Sequence, residues 1–237
     1  MARDYFAGRI AERYDETSRE MFDPAVLQPA VDFLADLAGG GPALEFAIGT
    51  GRVALPLAER GIRLSGIDLS ADMVAKLREK AGAEAIDVTI GDVAQTRVAG
   101  EFSLVYIVWN SISNLTTQEA QVAAFTNAAA HLRRGGCFVV EVGVGGGPPL
   151  EVFDLSDDHV GIDEYDAATQ RLVSHHFTLD DGRWDRVSMP FRSVSPGEFD
   201  LMARIAGMRL RERWSGWNGE PFAAESTKHI SVWEKTV

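Results

Sequence analysis

Cysteine is almost absent from this chain of 237 residues: Cys137 is the single one, inside the apolar run Cys137-Phe138-Val139-Val140. One thiol cannot build a disulfide framework, and in such a run it reads as a buried strand residue, so a reducing compartment is expected. Positive charge is also short. The 23 Lys and Arg stand against 35 Asp and Glu, a formal net charge of −12, and the basic residues nowhere gather into the stripe that a phosphate backbone requires. No nucleic acid is expected as a partner; a small molecule or a basic partner fits better. Long apolar runs are missing too. No segment approaches the roughly 20 residues of a membrane-crossing helix, and Met1-Ala2-Arg3-Asp4-Tyr5 carries no apolar stretch of the signal-peptide kind. The expectation is a cytoplasmic protein with no membrane partner, acting as a monomer or homodimer. The histidines have neither a helical i,i+4 pairing nor a cysteine companion, so no metal site is expected.

What the chain does have is glycine at chosen places. Residues 43–51, Ala-Leu-Glu-Phe-Ala-Ile-Gly-Thr-Gly, read as a short buried strand ending in a tight turn, with a helix over 52–60. A ligand at that point meets a strand end, bare backbone at Gly49 and Gly51, and a helix N-terminus. Gly49-x-Gly51-x-x-Ala54 fits the dinucleotide fingerprint in form, but Glu45, four positions before Gly49, opposes a pyrophosphate and suits a cationic ligand. Asp68 closes the next apolar run, 19 positions after Gly49, where an acid can accept both hydroxyls of a ribose. The third strand, 85–90, ends in Gly91-Asp92-Val93, and the fourth, 102–108, ends in Trp109-Asn110.

Over residues 10 to 142 the chain resembles the class I S-adenosylmethionine-dependent methyltransferases, whose E/D-x-G-x-G-x-G motif, second-strand acid and third-strand Gly-Asp appear here in order. The last forty positions resemble the family more loosely. One departure is Ala47, which stands where the family has its first glycine; an alanine there is expected to keep φ below zero. The resemblance implies the cofactor S-adenosyl-L-methionine and the product S-adenosyl-L-homocysteine. Glu45, Ala47, Gly49 and Gly51 would hold the amino-acid end, Asp68 the ribose, and Asp92 with the Val93 backbone the adenine edge. Val108 and Trp109 would offer a carbonyl to the ammonium. The resemblance also implies that an N-terminal segment folds over the cofactor with Tyr14 facing the site, and that Met73 lies near the adenine.

From 43 to 142 apolar strands alternate with helices, which requires parallel pairing and right-handed crossovers. The predicted fold is α/β: a doubly wound, Rossmann-like seven-stranded sheet, mainly parallel with a C-terminal antiparallel strand, plus a small antiparallel β excursion. Asp23-Pro24 opens one helix, with Pro29 a point where it could kink, and Ser70 caps another. Thr116-x-x-Glu119 reads as a capping box for a helix reaching His131, a favourable partner for the helix dipole, and Arg133 to Gly136 end that helix. Glu141 reads as a solvated rim residue in preference to a substrate-facing acid. Gly143 to Pro149 break the pattern. Strands then follow over 160–165, 171–179 and 183–191, the last two joined by an Asp181-Gly182 hairpin turn. Ser195-Pro196-Gly197-Glu198 opens a helix that Gly207 stops, and two final strands match the antiparallel pair that closes the methyltransferase sheet. Three regions result: 1–142, lid helices and cofactor-binding core; 143–194, an acceptor cap; and 195–237, completing the core sheet.

The expected function is methyl transfer to N or O of a small-molecule acceptor, with Tyr14, Trp109, Asn110 and Asn114 lining the acceptor pocket. Such an in-line displacement needs alignment and a deprotonated nucleophile. His175 and His176 are candidate bases, and as neighbours on one strand they point to opposite faces, so at most one can serve a given pocket. An NAD-dependent oxidoreductase competes through the glycine motif and Asp68, against Glu45 and Gly91-Asp92. A non-catalytic protein binding S-adenosylmethionine or S-adenosylhomocysteine is the third reading, kept open by Ala47.

Overall fold

Apolar strands that alternate with helices pair in parallel because each crossover carries the chain back to the same end of the sheet. The computed structural model, which describes residues 3–236, builds this pattern from β1 (Ala43–Phe46), β2 (Leu64–Asp68), β3 (Asp87–Ile90), β4 (Phe102–Ile107) and β5 (Leu132–Gly143). A second sheet follows, from β6 (Leu150–Leu155), β7 (His159–Asp166), β8 (Arg171–Asp180) and β9 (Arg183–Arg192). The chain then returns with β10 (Met208–Trp214) and β11 (Lys228–Lys235) to complete a seven-stranded sheet of order β10-β11-β5-β4-β1-β2-β3. Only β11 runs against its neighbours in this sheet, β5 and β10; the other pairs are parallel. The order reverses between β1 and β4, both buried at every residue. In such a sheet the ligand crevice opens beyond the carboxyl ends of those two strands.

Side-chain alternation gives each sheet face its own core. On one face Phe46, Phe138 and Trp233 pack with Phe125 of α5 (Gln118–His131) and Phe199 of α6 (Pro196–Ile205). On the other, Leu104, Tyr106 and Val139 meet Leu34 of α2 (Pro24–Ala38) and Leu57 of α3 (Ala54–Glu59). The remaining α-helices among the described residues are α1 (Arg9–Thr17) and α4 (Ala71–Arg78). Asp23 accepts the Ala25 N–H and Ser70 the Met73 N–H as caps, and α2 continues through Pro29. The cap of α5 is Thr117 rather than Thr116: its hydroxyl accepts the Ala120 N–H at 3.1 Å, so the start lies one residue later than the capping-box reading. Arg133 to Gly136 belong to the beginning of β5 instead of the helix end.

The second sheet has the order β6-β7-β8-β9, antiparallel throughout. Asp181 and Gly182 both take positive φ, 48° and 74°, as a two-residue turn matched to strand twist requires. β6 was not anticipated; it is an exposed edge strand, Leu150-Glu151-Val152-Phe153-Asp154-Leu155, that follows two prolines and pairs on one side only. Buried Arg192 ties the second sheet to two helices of the core: its guanidinium donates to Gln121 of α5, to Gln170 and, at 2.6 Å, to Glu198 of α6. At the far end Arg9 of α1 pairs with Asp180 and Asp185.

Candidate functional site

The strand ends of the switch point carry a concentration of strained backbone. Gly49 and Gly51 have φ of 55° and 80°, and a Cβ on Gly51 would sit 2.3 Å from Leu77 Cδ1, so glycine is required there. Ala47 also has positive φ, 56°, which corrects the expectation that its side chain would hold it in the ordinary range. The turn keeps its glycine-like course, and alanine bears a cost of about 1–2 kcal/mol. Trp109 and Asn110, at the end of β4, both have φ of 57°. Runs of strained residues at one sheet edge mark a functional site when the surroundings hold them in place.

The surroundings here are carboxylates. Asp68 Oδ2 accepts the Gly49 N–H at 2.6 Å and Oδ1 the Ser70 N–H at 2.8 Å, which pins the glycine turn to the end of β2. Burial raises the Asp68 pKa from its ordinary value, opposed by these backbone donors. Glu45 is 3% exposed, and its Oε2 accepts the Tyr106 hydroxyl at 2.9 Å. Burial pushes it up to about 8. Glu141 is buried, not a solvated rim residue: Oε2 accepts the Trp109 N–H at 3.1 Å, and Oε1 accepts Trp217 Nε1–H at 2.9 Å and Lys228 Nζ at 3.4 Å. It clamps the left-handed turn after β4. Asn110 Oδ1 accepts the Gly143 N–H at 2.7 Å. His131 is likewise buried: Nε2 accepts the Val98 N–H and Nδ1 donates to the Asn127 carbonyl. With one ring nitrogen accepting and the other donating, it is a neutral latch between loop and helix and no charged dipole partner, and burial lowers its pKa.

A cavity of about 980 Å³ opens over this edge. Ala47, Gly49, Asp68, Met73, Asp92, Val93, Trp109, Asn110 and Asn114 stand in its wall, and Tyr14 faces it from α1. Glu45, Gly51 and Val108 lie behind the wall. The N-terminal segment closes one side. Gly8 N–H donates to Asp72, Ser70 Oγ to the Phe6 carbonyl, and Thr50 Oγ1 to Asp15. The second sheet closes the other with Phe153, Asp163, Leu172, Ser174, His176, Met189 and Phe191. Of the adjacent histidines, His176 faces the cavity, whereas His175 turns away and bonds Ser188 Oγ at 2.8 Å. Asp163 and Ser174 were missed. The alternation of β8 carried the signal, because Leu172 and Ser174 share the face of His176.

The wall has one Arg, Arg3, and no Lys among the described residues, against Asp4, Asp68, Asp92 and Asp163. It offers bare backbone and carboxylates and lacks a phosphate cradle, as a cationic sulfonium with a neutral adenosine needs. Among the described residues no cluster of three or more His, Cys, Asp or Glu is placed to hold a metal, and no helix is long and apolar enough to cross a membrane.

Fold and site together define a Rossmann-like enzyme that handles a nucleoside-bearing cofactor. A family model described as a methyltransferase domain matches residues 43–136. The solved structure of the CcbJ methyltransferase from Streptomyces caelestis is 30% identical, covers 98% of each chain and superposes with a TM-score of 0.88. The cypemycin N-terminal methyltransferase of a Streptomyces species is 26% identical over 94% of this chain and 97% of its own length. A dTDP-3-amino-3,4,6-trideoxy-alpha-D-glucopyranose N,N-dimethyltransferase of Streptomyces venezuelae is 30% identical over 65% of this chain and 62% of its own. The chain belongs to the S-adenosylmethionine-dependent methyltransferases. It is an enzyme of methyl transfer, with S-adenosyl-L-methionine as cofactor, and the oxidoreductase reading falls away.

Proposed function

We propose that the protein methylates an amine nitrogen of a small-molecule or peptide acceptor held between the strand ends and the second sheet. The observation that carries this reading is the shared cavity: the Gly49 turn and Asp68 form one wall, and His176 with Asp163 forms the wall opposite. The two curated relatives, named for an N-terminal and an N,N-dimethyl transfer, support nitrogen over oxygen.

S-adenosylmethionine, when bound, supplies an electrophilic methyl group on a sulfonium. The protein's part is to align and to deprotonate. Asp68 accepts the ribose hydroxyls with the lone pairs left free by Gly49 and Ser70. Asp92 and the Val93 backbone meet the adenine edge beside Met73, and the bare backbone of Ala47 and Gly49 approaches the amino-acid end. Glu45, behind the turn, makes no direct contact; a cation beside the turn favours its ionised form over the protonated one that burial favours. The Val108–Trp109 backbone, held by Glu141, presents a carbonyl to the ammonium. Tyr14, Asn110 and Asn114 border the acceptor. Residues 143–194 act as the acceptor cap, and 1–142 with 195–237 as the cofactor core. The buried single thiol supports the cytoplasm as the compartment.

The test is transfer from S-adenosylmethionine to two probes, a short peptide with a free N-terminal alanine and an aminohexose, beside their N-acetylated forms, read by S-adenosylhomocysteine release and acceptor mass. Methylation of a free amine and none of the blocked form is expected. Methylation of the N-acetylated forms at the same rate would overturn the nitrogen reading.

A further inference from the structure

Four polar side chains of the second sheet stand in a row from the cavity to the surface. Asp154 Oδ2 lies 2.6 Å from His159 Nδ1, His159 Nε2 lies 3.1 Å from His176 Nδ1, and His176 Nε2 lies 3.3 Å from Ser174 Oγ. Exposure rises along the row: Ser174 is 7% exposed, the His159 side chain 25% and that of Asp154 46%. The order of these partners dictates the tautomers. A carboxylate only accepts, so His159 carries its hydrogen on Nδ1 and leaves Nε2 bare. That bare nitrogen accepts from His176 Nδ1–H, which leaves the His176 Nε2 lone pair on the cavity side, where it accepts from the Ser174 hydroxyl until that rotor turns aside. The row is also packed in place. The Phe153 ring stands edge-on to His176 at 5.4 Å between centroids, and Gly161, paired with His176 across the strands, has no side chain because a Cβ would meet that ring at 2.3 Å.

We propose that Asp154, His159 and His176 form a proton relay that deprotonates the acceptor ammonium and delivers its proton to solvent. The proposal rests on the amine reading above. In the step, an acceptor N–H bond breaks and a bond from that hydrogen to His176 Nε2 forms. The Nδ1 hydrogen of His176 passes to His159 Nε2, and the Nδ1 hydrogen of His159 passes through Asp154 to water; after product release, water in the open cavity takes the His176 Nε2 hydrogen as a proton re-enters through Asp154 and the starting tautomers return. The lone pair freed on the acceptor nitrogen then forms the new bond to the methyl carbon as the carbon–sulfur bond breaks, its electron pair remaining on the neutral thioether sulfur. The nitrogen keeps its other hydrogens and carries the positive charge. His176 touches the acceptor; His159 and Asp154 are positioning residues.

Two imidazoliums in direct contact repel, so the two neutral rings take up one additional proton at most, stabilised by Asp154 at the outer end. Burial holds the His176 pKa below its ordinary value, with the charge of His159 acting the same way. Asp163 and Asp154 oppose this, and His175, from the outer face, adds slightly to it. The hydrogen-bond order along the row leaves His176 Nε2 as an acceptor, as a group that takes a proton from an ammonium must be.

The first test is nitrogen NMR of histidine-labelled full-length protein saturated with S-adenosylhomocysteine. At neutral pH, Nδ1–H tautomers are expected for both His159 and His176. Asp154→Asn should break the tautomer preference of His159 and change the titration of His176. An Nε2–H tautomer at His176 in the wild type, or an Asp154→Asn spectrum identical to wild type, overturns the relay. The second test follows kcat/KM against pH with the free N-terminal peptide. His176→Gln should lose about a hundredfold or more together with the acidic limb of the profile. His159→Gln and Asp154→Asn should lower kcat with little change in KM and displace that limb. Unchanged S-adenosylhomocysteine affinity certifies the fold, and His159→Gln serves if His176→Gln does not fold. Amine transfer at wild-type rate and pH dependence by both histidine variants would leave the amine reading standing and overturn the relay. Transfer by the wild type to hydroxyl probes alone would instead remove the amine reading on which the relay depends.

Discussion

Replacing Glu45 by glutamine removes a buried charge while keeping volume and the acceptor for the Tyr106 hydroxyl, which lies 2.9 Å from the carboxylate. In the folded protein burial moves this carboxyl from 4.5 to about 8, against weaker lowering by the Tyr106 hydrogen bond and by Arg52, with Asp68 adding to the rise. The unfolded chain therefore loses the Glu45 proton before the folded one does. Between the two values the unfolded state binds fewer protons, so stability is greatest below 4.5 and declines as pH rises toward 8. At about 1.4 kcal/mol per pH unit, the window amounts to about 5 kcal/mol. Glu45→Gln lacks this titration. The unfolding free energy of the variant should equal the wild type's at the acid end and exceed it by several kcal/mol at the alkaline end. The comparison is made by urea unfolding with circular dichroism at both ends, and taking the difference cancels the general effect of the acidic surface. Saturating S-adenosylmethionine should shrink the advantage, because a cation beside the Gly49 turn favours the ionised carboxylate, whereas S-adenosylhomocysteine, which lacks the sulfonium charge, should shrink it less. A variant-minus-wild-type difference independent of pH would refute the reasoning.

Three further changes test other parts of the site. Ala47→Gly relieves about 1–2 kcal/mol of left-handed strain against roughly 0.5–1 kcal/mol of added backbone entropy; a small net gain in urea stability is expected, and a loss would mean that the alanine methyl packs usefully. Asp68→Ala removes two backbone hydrogen bonds to a charged acceptor, about 1.5–3 kcal/mol each at most, and the ribose contact. S-adenosylmethionine should weaken at least about tenfold by calorimetry, and an unchanged dissociation constant would end the assignment. Replacing residues 150–191 by a glycine linker, with Arg192 retained for Gln121 and Glu198, should leave S-adenosylmethionine affinity within a few fold while abolishing transfer to the amine probes. Retained transfer would deny the cap its role in acceptor binding, and lost cofactor binding would make it part of the cofactor site.

Much of this protein is decided by residues close together in the chain, and that part was legible. Strand–helix alternation, the Asp23, Ser70 and Ser195 caps and the Asp181-Gly182 turn depend on steric and hydrogen-bonding preferences within a few positions. So does the occurrence of polar or glycine residues at four successive strand ends, and parallel topology then brings those ends to one edge. What lay beyond the sequence depends on groups far apart in it. Alternation says that His175 and His176 face opposite ways, but the seating of the second sheet chooses His176. Ala47 takes a left-handed conformation because the turn is pinned from outside it, by Asp68 on the Gly49 N–H. Glu141 looked like a rim acid until β11 and the Trp217 loop closed over it, and His131 like a dipole partner until the Val98 N–H reached its ring. The row from Asp154 to Ser174 spans three strands, and a spacing of 5 residues between Asp154 and His159 and 17 between His159 and His176 matches no local period. Only the register of antiparallel neighbours, set by the whole sheet, brings those side chains within hydrogen-bonding distance.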